Sequence, residues 1–246
     1  MGNLPNAPLI EVILELRWQI TNKSDLAKIQ YLYGDIYNEL KNKYPYREIV
    51  QPIELPSELV LNSPVHRYRA SLNSFPLIQL GPGLMTLNMD KVTYSWDIFL
   101  ENTNELINSF LKIFPFQNQE TITPSLLFLD FFKFNYEELD VYDFLNDKFN
   151  INFSQSFLPK ASNPTNLNLG FYYITEMGEL MLTFNRGKNL EQDDGILVQT
   201  RINGQSSIAE IEQLTQWIEK AHNFCSDIFK RLTEGELYES FNKEIK

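Results

Sequence analysis

His222 and Cys225 stand three residues apart in a segment patterned as a helix, a spacing that places an imidazole and a thiol on one face. Such a pair could supply half of a metal site, or a thiol activated by a neighbouring base. The surrounding pattern points elsewhere. Ile208, Ile211, Leu214, Ile218, Ala221, Cys225, Ile228 and Leu232 make one apolar stripe, widened by Trp217 and Phe224, so Cys225 takes a core position. The only other histidine is His66, and a zinc site would need carboxylates to complete it. We therefore expect a packed cysteine, a hydrogen-bonded or surface histidine, no metal and no cofactor.

Acidic side chains are plentiful, but Glu137-Glu138, Asp193-Asp194 and the row Glu210, Glu212, Glu219 read as solvated faces and loops. General acid-base work needs two groups in contrasting environments. Asp130 is the exception, because it interrupts Leu126-Leu127-Phe128-Leu129 and Phe131-Phe132, where an unpaired carboxylate is costly to bury. Either alternation turns it outward, or an arginine such as Arg17, Arg69 or Arg201 meets it. Gly81-Pro82-Gly83 has the composition of a phosphate loop but lacks the following Lys-Ser/Thr and helix start, so it reads as a turn. Signatures of hydrolases, zinc proteases and thiol oxidoreductases are absent from the sequence.

The elements that must position these residues come in a repeated order. Leu9 to Ile20 reads as a strand, followed by a helix behind Ser24 with apolar positions at Leu26, Ile29, Tyr33 and Leu40. Gln51 to Pro64 reads as an irregular connection. Tyr68–Leu72, Pro76–Leu80, Leu84–Asn88 and Val92–Trp96 form a meander turning at Gly81-Pro82-Gly83, and a helix carries Phe99, Thr103, Leu106, Phe110 and Ile113 up to Pro115. The second half repeats this with a strand at Leu126–Phe134, a short helix introduced by Asp140, and strands around Leu167–Tyr173, Leu180–Phe184 and Ile196–Ile202. Met177-Gly178 marks a hairpin turn. A capping box, Ser207-Ile208-Ala209-Glu210, opens the closing helix. The fold class is thus α+β, with two β-α-β(3-4)-α halves at 1–120 and 121–246, antiparallel sheets and long helices on one face, in the manner of TATA-binding-protein-like or helix-grip folds.

Composition sets outer bounds. Hydrophobic residues at 43% and charged residues at 22% can build a sizeable core. The lone cysteine rules out an internal disulfide framework, and no apolar run approaches the roughly 20 residues that span a bilayer. With no signal-peptide pattern at the amino terminus, we expect a cytoplasmic protein without membrane contact. A net charge of -11 disfavours nucleic acid as a partner. Counting Lys and Arg against Asp and Glu, residues 1–120 carry 10 − 13 = -3 and residues 121–246 carry 11 − 19 = -8.

Asn6-Ala7-Pro8-Leu9-Ile10-Glu11-Val12, then Gln79-Leu80-Gly81-Pro82-Gly83 with Tyr94-x-Trp96, then Ala221-His222 followed by Ile228-Phe229, resemble in order and spacing a sporadically distributed prokaryotic family of proteins of about this length, whose function is uncharacterised. Leu127-Phe128-Leu129-Asp130 stands where that family carries an Arg-Tyr-x-Asn-like stretch. The resemblance implies a fold and a bacterial or archaeal source, and its patchy distribution implies accessory systems such as toxin-antitoxin or phage-defence operons.

These readings lead to a non-catalytic binding or regulatory protein, with a protein encoded nearby or a second copy of itself as partner. Two alternatives stand beside it: an apolar small ligand held between helices and sheet, and an enzyme centred on the Asp130 carboxylate. The candidate binding residues are Arg17, Trp18, Arg69, Tyr94, Trp96, Asp130, Arg201 and His222.

Overall fold

Strand β1 (Leu9–Trp18) alternates as its sequence predicts, burying Val12, Leu14, Leu16 and Trp18 and leaving Ile13, Glu15 and Arg17 half-buried on the other face. The computed structural model of the chain describes residues 4–20, 23–52, 55–113, 122–158, 163–205, 208 and 210–243. It is an α+β protein with antiparallel sheet pairing and, among the described residues, five α-helices. The chain divides into two compact units, one formed by Glu11–Leu126 and Asn203–Glu219, the other by Met1–Ile10, Leu127–Ile202 and Lys220–Lys246.

In the first unit β1 is followed by α1 (Lys23–Leu40), β2 (Tyr46–Ile49), a 3-10 turn at Ser57–Val60, β3 (His66–Arg69), β4 (Leu77–Gly81), β5 (Leu84–Asp90) and α2 (Trp96–Ile113). The strands run in the order β2-β3-β4-β5-β1, each antiparallel to its neighbour. Register aligns Tyr68, Ile78, Leu87 and Leu14 in one row on the covered face. The Tyr68 hydroxyl donates to the Tyr33 carbonyl of α1, and Trp18 lies 4.9 Å from the Phe110 ring of α2, so both helices cover that face. Gly81-Pro82-Gly83 is the β4–β5 turn. Gly83 sits at φ +78°, as the third position of a type II turn demands, and a Cβ on Gly81 would lie 1.9 Å from the Ser63 carbonyl oxygen.

The second unit holds most of β6 (Ile122–Lys133), then α3 (Val141–Lys148), β7 (Asn168–Thr175), β8 (Gly178–Lys188), β9 (Asp194–Asn203), most of α4 (Ile211–Leu232) and α5 (Glu236–Ser240). Its strand order is β6-β9-β8-β7. The Asp140 carboxylate caps α3 by accepting from the backbone N–H of Tyr142 and Asp143 at 2.8 and 3.2 Å. Phe132, Phe134, Phe149, Phe184 and Phe241 fill the core through edge-on and tilted ring contacts, with Ile196 in the same cluster.

Several elements differ from the sequence reading. Val92–Trp96 is not a strand. The Asp90 carboxylate accepts from the backbone N–H and hydroxyl of Thr93, closing a turn, and α2 already begins at Trp96. Strand β2 lies where no strand was expected, since four residues containing Arg47 and Glu48 show no apolar alternation. Ser24 falls inside the first turn of α1 rather than before it. Ile208 bridges to Ile122 instead of joining the α4 stripe, while Ser207 and Ala209 of the expected capping box lie outside the described residues. No helix among the described residues is long and apolar enough to cross a membrane.

Candidate functional site

The face of the first unit's sheet opposite the Tyr68-Ile78-Leu87-Leu14 row carries a polar row built by strand register. Glu15 faces Thr86, Thr86 faces Gln79, Gln79 faces Arg67 and Arg67 faces Glu48, five strands in succession. The side chains join up. Arg67 Nε donates to Gln79 Oε1 at 3.0 Å, Gln79 Nε2 to Thr86 Oγ1 at 3.2 Å, Thr86 Oγ1 to Asn88 Oδ1 at 2.7 Å, and Asn88 Nδ2 to Glu11 Oε1 at 2.7 Å. Thr86 and Asn88 are buried within this network, which satisfies them. Arg17 Nε donates to Glu15 at 2.7 Å beside it. Arg69, also expected as a binding residue, is held by the Ser74 carbonyl at 2.6 Å and lies over the Phe75 ring.

Other expected site residues are distributed differently. Trp18 is a core side chain. Tyr94 and Trp96 both pack on Phe99 at the start of α2, each with ring centroids 5.9 Å from it. Arg201 is half-buried on β9. His222 and Cys225 do share the buried face of α4, where burial pushes the imidazole down to about 4 and the thiol up to about 12. Those directions are opposite to the thiolate-imidazolium pair that an activated cysteine requires.

Asp130 corrects both readings of itself. It does not turn outward, because it shares the buried alternation of β6 with Leu126 and Phe132 and is only 4% exposed. Nor does an arginine meet it: among the described residues its carboxyl has no ion-pair or hydrogen-bond partner. Desolvation alone pushes it up to about 7.

Two cavities belong to the first unit. One of about 290 Å³ is lined by Arg17, Trp18, Asn62, Pro82 and Gly83. The other, about 340 Å³, lies between α1 and the β2–β3 edge and is lined by Tyr33, Gly34, Arg47, Ile49, Leu55, Val60 and His66. Arg47 Nε donates to His66 Nδ1 at 3.4 Å, and the His66 ring packs edge-on against Tyr33 at 4.3 Å. Burial and the Arg47 charge push His66 down to about 4, so it is neutral at pH 7. Neither cavity is lined by Asp130.

The sequence reading placed a strand at β7 but named no site residue on it. In this strand, which among the described residues pairs with β8 alone, Tyr172 is 64% exposed, Tyr173 51% and Ile174 77%. Three consecutive large side chains just before a hairpin turn were the available signal, because alternation alone would bury half of them.

Comparison with known proteins gives no match. No family model, no curated protein and no solved structure matches this chain.

Proposed function

We propose that this chain is a non-catalytic binding protein that captures a protein partner by adding a strand to β7. The observation that carries this reading is the composition of that edge. Natural edge strands are blunted by charge, proline, bulges or brevity. Strand β2, at the end of the first unit's strand order, follows the rule with four residues that include Arg47 and Glu48. Strand β7 breaks it, with eight residues, Asn-Leu-Gly-Phe-Tyr-Tyr-Ile-Thr, and neither a charge nor a proline. An extended partner segment can hydrogen-bond to its free backbone side while Tyr172, Tyr173 and Ile174 supply apolar contacts. Glu176 and Glu179 flank the exposed tip, so a segment mixing basic and apolar residues fits best. The resemblance to a patchily distributed prokaryotic family makes the concrete version an antitoxin or phage-defence component acting on a protein encoded beside it.

Co-purification of the chain with the products of its native operon tests this. We expect a stoichiometric partner that is lost from an Ile174→Lys, Tyr173→Lys variant whose melting temperature is unchanged, since both side chains are exposed. A strictly monomeric chain with no partner, or a partner retained by the double variant, overturns it. Self-association through β7 would replace the foreign partner with a second copy and is read by light scattering.

A further inference from the structure

We propose that the cavity between α1 and the β2–β3 edge is a binding site for a small amphipathic carboxylic acid. The site is independent of the β7 edge and stands or falls separately.

Its walls fall into two kinds. Ile49, Leu55 and Val60 supply an apolar side, with Ile49 and Leu55 partly exposed at the surface although both are large hydrophobic side chains. The opposite side offers hydrogen-bond donors. Arginine has no acceptor, so the contact from Arg47 Nε fixes His66 Nδ1 as the acceptor and places the neutral ring's proton on Nε2. His66 Nε2–H has no partner among the described residues, and the remaining Arg47 N–H groups add a fixed positive charge. The guanidinium lies 5.9 Å from the Tyr37 ring centroid, which helps to hold its plane. A forked cation beside a neutral N–H donor matches the two oxygens of a carboxylate, whereas the guanidinium charge repels a metal cation. The volume of about 340 Å³ falls within the roughly 300 to 1,000 Å³ usual for small-molecule sites.

Gly34 supports the same reading. It sits inside the 18-residue helix α1, where glycine is unfavourable, and a Cβ built on it meets nothing within 4 Å. Packing therefore does not require glycine there. What its bare surface provides is room at the cavity wall.

The test is a calorimetric and NMR titration of the full chain at pH 7 with octanoate and phenylacetate, with 1-octanol and inorganic phosphate as the headless and bodiless controls. At least one of the two acids is expected to bind, at least tenfold more tightly than either control. Arg47→Ala should weaken the acid at least tenfold, and Gly34→Leu, which fills the cavity wall without removing a contact, should abolish binding while the melting temperature stays at or above that of the wild type. Absence of binding by both acids overturns the proposal. So does octanol binding as tightly as octanoate, which would leave Arg47 and His66 without a role, or phosphate binding as tightly as the acids, which would remove the apolar wall. Acid binding unchanged in both variants would place the ligand elsewhere and equally overturn it.

Discussion

The two units treat polar side chains on their strands in opposite ways. In the first unit Glu15, Thr86, Gln79, Arg67 and Glu48 occupy successive register positions, so Arg67, Gln79 and Asn88 find acceptors on neighbouring strands and Thr86 finds one in Asn88 on its own. In the second, Asp130 stands alone between Leu126 or Phe128 and Phe132 on the covered face. The contrast shows that burial by itself does not decide the cost of a polar residue in a sheet. Thr86 and Asn88 are as buried as Asp130, yet they sit in a continuous run of hydrogen bonds, whereas Asp130 is desolvated with no hydrogen-bond partner among the described residues.

The largest expected effect comes from removing that charge. The folded-state value of Asp130, about 7, lies above its ordinary 3.8, so the folded chain holds the proton more tightly than the unfolded one. Its stability is therefore fully present below about pH 4 and is lost as pH rises toward 7. Asp130→Asn should raise the unfolding free energy at pH 8 by roughly 2–4 kcal/mol and do little at pH 4. Denaturant melts at both pH values check this, and equal effects at both would show that ionisation is not the cause.

Breaking the network should do the reverse on a smaller scale. Asn88→Ala removes the donor to Glu11 and leaves the buried Thr86 hydroxyl without its acceptor, and should cost about 1–3 kcal/mol at pH 7. A double-mutant cycle with Thr86→Val measures the coupling; purely additive effects would mean that the row is a set of independent contacts.

The smallest effect concerns His222, whose depressed value runs opposite to that of Asp130. Its folded-state pKa of about 4 lies below the ordinary 6.5, so the stability it contributes is present above pH 6.5 and fades as pH falls toward 4. His222→Phe should flatten the acid limb of the stability profile by about 1–2 kcal/mol between pH 7 and 5. An unchanged limb would assign it to other groups.

Much of the architecture was legible in the residues. Alternation in β1, β8 and β9, the Asp140 cap and the Gly81-Pro82-Gly83 turn each depend on neighbours in sequence, and each stands where its pattern placed it. Strand β2 and the turn at Asp90 were not legible, because a four-residue strand bearing charges is held by pairing with β3, and the turn by one carboxylate. Of the candidate site residues, sequence identified Asp130 as anomalous but not its isolation. It gave no sign that Arg47 reaches His66 across nineteen positions of chain.

The sequence by itself determined the α+β class, the composition of the β7 edge and the buried stripe containing Cys225, since these follow from local periodicity and side-chain type. Only the tertiary structure decided which strand lies at an edge, which polar groups meet and which remain alone. Those outcomes depend on strand order and register, which bring together residues such as Glu11 and Asn88 that lie 77 positions apart, and no local pattern encodes that pairing.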